Sequence, residues 1–107
     1  MAESKLRIQL HDDGLPPPEV QWKIHGPSGV VRYRIDLAYP ELKLAIEYDG
    51  RDHHTSAADR AKDARRRKAL RRLGWTVLVL TASDVYGPDP QAARKVWRAR
   101  HQLTSGS

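Results

Sequence analysis

The succession of hydrophobic patterns in this 107-residue chain predicts an α/β (α+β) fold, αβββαβα, with helices flanking a mixed sheet. Three observations predict it. Strand-like runs follow one another between residues 20 and 49, separated by turn residues. A basic stretch of helix formers without Gly or Pro comes next. The continuous apolar run Val77-Leu78-Val79-Leu80 then suits a strand covered on both faces.

Each element has its own signal. Leu6 and Leu10, at i,i+4 spacing, predict a helix over residues 2–11. His11-Asp12-Asp13-Gly14-Leu15-Pro16-Pro17-Pro18 reads as a loop, because three prolines cannot continue a helix. Val20 to Ile24 reads as a strand and Gly26-Pro27-Ser28-Gly29 as a turn. Val30 to Tyr39 and Leu42 to Asp49 read as strands joined by a tight two-residue turn, Pro40-Glu41. A loop from Gly50 to Ser56 leads into the basic helix, which Thr55 or Ser56 caps and Gly74 ends. Trp75 to Thr81 is a strand, Ala82 to Asp89 a loop, and Pro90 to Leu103 the last helix. The length fits one domain over residues 1–103, with a disordered tail at 104–107.

Composition excludes several classes of function. The chain has no Cys, so disulfides, thiolate zinc sites, iron–sulfur clusters and cysteine nucleophiles are out. No apolar run approaches the roughly 20 residues of a membrane helix, and the start is not a signal peptide. The net charge is +6, and thirteen of the nineteen cations are Arg, the side chain that forks onto phosphate.

That charge has an address. Asp59 to Arg72 holds eight cations and two Asp, which equals the net charge of the whole chain. On a helix, Arg60, Arg65, Arg67, Lys68, Arg71 and Arg72 form one face, a stripe suited to a phosphate backbone or simply a solvated face. Asp59, Lys62, Asp63, Arg66, Ala69, Leu70 and Leu73 form the other. Arg66 either pairs with Asp63 or points across the core edge toward a charged site.

A carboxylate group supplies such a site. Glu47 and Asp49 share one face of their strand. With Pro40-Glu41 as a two-residue loop, Tyr39 pairs with Leu42, Asp36 with Ala45 and Arg34 with Glu47. Asp36 then lies diagonal to Glu47 on the same face, and a one-residue slip would move it to the other. Singly, Asp36 could be a partner of Arg32 or Arg34, and Glu47 a partner of Arg34 across the strands. Together, oxygen ligands on rigid strands suit a hard cation such as Mg²⁺ or Mn²⁺. Gly50 turns the chain out of the strand, and His53 and His54 follow, where an imidazole could place a water. A basic helix beside these groups completes the parts of metal-assisted phosphodiester hydrolysis.

Asp36, then Glu47-Tyr48-Asp49-Gly50, then His53, resembles the motif of the very-short-patch-repair (Vsr) endonucleases of the PD-(D/E)XK nuclease superfamily. Asp63-x-x-Arg66-x-x-x-Leu70-x-x-x-Gly74-Trp75 and the start Glu3-Ser4-x-Leu6 are similar too, so the resemblance covers nearly the whole chain. It implies a restriction-endonuclease-like core and Mg²⁺- or Mn²⁺-dependent DNA cleavage. In it Asp36 and Glu47 are metal ligands, Tyr48 ligates through its backbone carbonyl, and Glu3 assists. The superfamily's lysine, two residues after the Glu, is Asp49 here, which cannot stabilise developing negative charge. In the Vsr-like branch a histidine of the following loop stands in for that lysine, so the resemblance implies His53 or His54 as the base, with the branch's Asp-Gly-x-x-His spacing slightly favouring His53. The structural zinc of Vsr proteins is not expected without Cys.

The expected activity is therefore a DNA endonuclease or nickase, cytoplasmic and nucleoid-associated, with Arg60, Arg65, Arg66, Arg67, Lys68, Arg71 and Arg72 holding DNA. A monomer would nick and a weak homodimer would cut both strands. The alternative is an inactive nuclease-fold module that binds DNA within a larger, toxin–antitoxin-like protein. Glu3, two residues after Met1, suits a domain trimmed from such a chain.

Overall fold

Leu6 and Leu10 are both fully buried, so the first helix lays one stripe on the core. The structure, a computed structural model, describes residues 2–49 and 56–105. The helices are α1 (Ala2–Asp12), α2 (Ala57–Arg72), α3 (Ala82–Tyr86) and α4 (Ala92–Ser105). The strands are β1 (Glu19–His25), β2 (Val31–Tyr39), β3 (Leu44–Asp49) and β4 (Thr76–Thr81). They form one mixed sheet in the order β1-β2-β3-β4, with β1, β2 and β3 antiparallel and β4 parallel to β3. A parallel pair needs a crossover, and α2 supplies it.

The two sides of the sheet have separate cores. Leu37, Tyr39, Leu44, Ile46 and Leu80 pack with Leu6 and Leu10 of α1, Val85 of α3 and Ala92, Ala93 and Val96 of α4. Ala38 and Ala45 pack with Leu70 of α2, with Trp75 and Ile35 in the same cluster. Leu70 is fully buried. Its truncation to Ala would cost about 2–5 kcal/mol.

Both ends of α2 are specified chemically. Ser56 accepts a hydrogen bond from the Asp59 amide at 3.1 Å. At the other end Gly74, at φ +92°, bonds its N–H to the Arg71 carbonyl, and the Trp75 N–H reaches the Leu70 carbonyl. This is the Schellman arrangement, with Leu70 and Trp75 also in apolar contact.

The β2–β3 register differs from the expected one. The observed pairs are Tyr39 with Leu44, Ala38 with Ala45 and Leu37 with Ile46, a shift of two residues. Favoured two-residue hairpin loops need positive φ at their first position, and proline is fixed near −65°. Pro40–Leu42 instead forms a 3-10 turn, and Lys43 takes the left-handed conformation at φ 50°. Leu42 therefore belongs to the turn and not to the strand. Lys43 ties the corner down: its Nζ donates to the Leu73 carbonyl at 3.0 Å, and its carbonyl accepts from the Thr76 amide at 2.8 Å.

Two further expectations change. Residues 82–86 are helical and not loop, because Thr81 and Asp84 form a capping box. The last helix runs to Ser105, past the boundary placed at Leu103. The buried Tyr39 hydroxyl donates to the Pro16 carbonyl at 2.8 Å, and burial pushes the phenol up to about 12.

Asp84 is a second buried acid with a structural duty. It accepts from the Thr81 amide at 2.9 Å and lies 2.8 Å from Lys95 Nζ on α4. Burial alone would raise its pKa. The hydrogen bond from Lys95, with those from Thr81, outweighs burial and holds it below the ordinary carboxylate value. Folding thus favours the charged form. That stabilisation is complete above the unfolded value of about 3.9 and is lost as pH falls through the lower folded value. Asp84→Ala is expected to lower stability by about 2 kcal/mol at pH 7. In urea melts the gap from the parent should narrow toward low pH.

Candidate functional site

Glu47 is where the sheet turns polar. Its strand neighbours Leu44, Ala45 and Ile46 are buried and apolar, yet Glu47 is itself only 7% exposed. A carboxylate in that position needs partners. Helix α2 provides two: Arg66 donates from Nη1 to Glu47 Oε2, and Arg67 Nε lies 3.3 Å from Oε1. The second Arg66 nitrogen donates to the backbone carbonyl of Arg34 on β2. Arg66 thus fulfils the reading in which it reaches a charged site.

Arg67 was expected on the outward stripe. It is half-buried and faces Glu47, because residues 63, 66, 67 and 70 share the sheet-facing side of the helix. Arg60, Arg65, Lys68, Arg71 and Arg72 remain exposed, so the stripe keeps five of its six cations.

The register shift changes Asp36 less than its two residues suggest. Continuing the Leu37–Ile46 pairing places Asp36 opposite Glu47, where Arg34 was expected. Arg34, Asp36, Glu47, Tyr48, Asp63, Arg66 and Arg67 line one cleft of about 330 Å³. Asp36 is exposed at its rim and Glu47 buried in its wall. Asp49 ends β3 beside Thr81 and is half-buried. The Tyr48 ring leans edge-on against Tyr86 at 6.2 Å. Burial, with the neighbouring Tyr86 and Asp49, raises its pKa, so the phenol stays neutral.

The Glu3 side chain, His53 and His54 lie outside the described residues. Among the described residues no three acidic or histidine side chains converge into a metal cluster. Three carboxylates, those of Asp36, Glu47 and Asp63, do line one cleft, and the oxygen chemistry of Asp36 and Glu47 suits a hard divalent cation. Any such cation would share Glu47 with two guanidinium groups.

An adjoining hollow of about 450 Å³ is lined by Arg32, Tyr33, Arg34, Lys62, Asp63, Arg65 and Arg66. It shares Arg34, Asp63 and Arg66 with the acid cleft, so one trough runs from cationic to acidic walls. Sequence reasoning left Arg32, Tyr33, Arg34 and Lys62 out of the site. The alternation Arg32, Arg34, Asp36 on a strand was the signal, since such residues share a face.

Removing one member of a buried pair exposes the other's desolvation cost. Arg66→Met is expected to destabilise the fold by about 2 kcal/mol, moderated because Arg67 stays beside Glu47. The double variant Glu47→Gln with Arg66→Met should lose less than the sum of the singles, as read by a urea-denaturation cycle.

Among the described residues no helix is long and apolar enough to cross a membrane. No solved structure matches the chain. Two curated Mycobacterium tuberculosis proteins, "Uncharacterized protein MT2308" (strain CDC 1551 / Oshkosh) and "Uncharacterized protein Rv2248" (strain ATCC 25618 / H37Rv), are each 37% identical over 99 residues. That alignment covers 92% of this chain and 35% of each relative, so the chain spans about a third of the length of the curated relatives it matches. The family REase_MTES_1575 matches residues 18–99, which include every strand, the helix α2 and the whole Glu47 cleft. The chain belongs to this restriction-endonuclease-like family, in keeping with the PD-(D/E)XK nuclease superfamily.

Proposed function

We propose that residues 1–103 act as one Vsr-like endonuclease domain that hydrolyses DNA phosphodiester bonds with Mg²⁺ or Mn²⁺. The observation that carries this reading is the trough in which Asp36 and Glu47 meet on adjacent strands beside a cationic wall. When bound, a divalent cation would supply Lewis acidity and neutralise charge at the scissile phosphate. Asp36, Glu47 and the Tyr48 carbonyl would hold it.

The chain's own residues do the rest. Arg60, Arg65, Lys68, Arg71 and Arg72 grip the phosphate backbone from the exposed side of α2. Arg66 and Arg67 stand where negative charge would develop. His53, with His54 next in sequence, places the attacking water, and Asp49 cannot take over the charge-stabilising duty of the superfamily's lysine. Glu3 assists from α1. One site per copy makes nicking the default, and cutting both strands calls for a weak homodimer. The working setting is the cytoplasm, on the nucleoid.

With 10 mM Mg²⁺ or Mn²⁺ the chain is expected to convert supercoiled plasmid to the nicked form. Asp36→Ala and Glu47→Ala should each reduce that rate at least about 100-fold, roughly 2.7 kcal/mol of barrier. Cutting by both variants at the parental rate would sink the reading.

A second reading has its own support, since Arg66 and Arg67 already satisfy the Glu47 carboxylate. In it the domain binds DNA without cutting, within a longer, toxin–antitoxin-like protein. Metal binding separates the two. A cutter should melt several degrees higher in millimolar Mn²⁺, because binding to the native state stabilises by mass action. A binding module should melt unchanged.

A further inference from the structure

Trp97 is 55% exposed on α4, on the far side of the sheet from the Glu47 cleft. Exposing an indole to water is costly, and the other two Trp are half-buried or buried. Its neighbours are not apolar. Arg94, Trp97, Arg98 and His101 follow i, i+3, i+4, i+7 spacing, which puts them on one side of the helix. Ala92, Val96, Ala99 and Leu103 take the core side. The Trp97 and His101 rings are stacked, with centroids 5.1 Å apart and planes within 3°. Asp13, Arg94, Trp97 and Arg98 line a hollow of about 410 Å³.

We propose that this side of α4 binds an unpaired nucleobase of a single-stranded polynucleotide. Aromatic rings stack on any base face, and flanking arginines take the phosphates on either side. A protein partner would bury the indole but would leave Arg94 and Arg98 to be matched separately. The patch is cationic as well as aromatic, and one ligand class answers both properties. The Asp13 carboxylate repels phosphate and accepts hydrogen bonds from base N–H groups, so it sets the base edge on its side of the hollow. A duplex hides its base faces within the stack and does not satisfy Trp97. The site acts by binding alone and needs no cleavage at Glu47, so its failure and that of the cleavage reading are separate results.

The test is fluorescence anisotropy of labelled 12-nucleotide oligo(dT) and oligo(rU) at low salt, with a 12-base-pair duplex alongside. Trp97→Ala is expected to weaken the single strand about tenfold and the duplex less than twofold. Arg94→Gln with Arg98→Gln should weaken the single strand similarly. Both variants change exposed side chains, and circular dichroism should show the parental melt. Parental binding of either polymer, lost in the variants, supports the site and tells which backbone it takes. Single-strand affinities within twofold of the parent in both variants would overturn it. So would equal losses on single strand and duplex.

Discussion

The guanidinium of Arg66 ties three separate pieces of chain together: α2, the Glu47 carboxylate of β3, and the Arg34 carbonyl of β2. A buried carboxylate without partners would cost several kcal/mol, enough to consume much of the stability of a domain this small. Glu47 can therefore sit in the sheet only if α2 lies across it in this rotation. The rotation is fixed by Leu70 in the core one turn beyond Arg66, and by the Schellman end that locks Leu70 to Trp75. The packing of α2 and the construction of the cleft are one problem with one solution.

This arrangement separates charge efficiently. The excess of cations resides on α2, whose exposed side carries Arg60, Arg65, Lys68, Arg71 and Arg72 while its inner side neutralises Glu47. A polyanion approaching the helix meets the exposed cations of α2, and the Glu47 carboxylate is buried behind two guanidiniums. Carboxylates repel phosphate, and the inward guanidiniums reduce that repulsion at the acidic site.

Much of this was legible in the residues. Ser56 and Gly74 marked the ends of α2, alternation marked the strands, and the period of α2 put Arg66 on its inner side. Arg67 was misplaced because a helix wheel shows an angle but not how wide a stripe the sheet covers. The α3 turn was missed although Thr81-x-x-Asp84 is a capping-box spacing. Five residues carry too little periodicity to register as a helix, and the turn is held by contacts beyond it, the buried Val85 in the core and the Lys95 contact across to α4. The cationic wall built by Arg32, Arg34 and Lys62 combines a strand with a helix, and no local pattern in a single segment reports such a meeting.

The left-handed Lys43 has a consequence for how the acid pair can vary. The connection holds two more residues than a minimal hairpin would, yet Asp36 and Glu47 still share a face. Side chains alternate with a period of two, so what matters at this corner is parity and not length. A change of two residues slides Asp36 along the cleft, while a change of one removes it from the cleft altogether. Lys43, bonded to both Leu73 and Thr76, is thus the counter that keeps the number even.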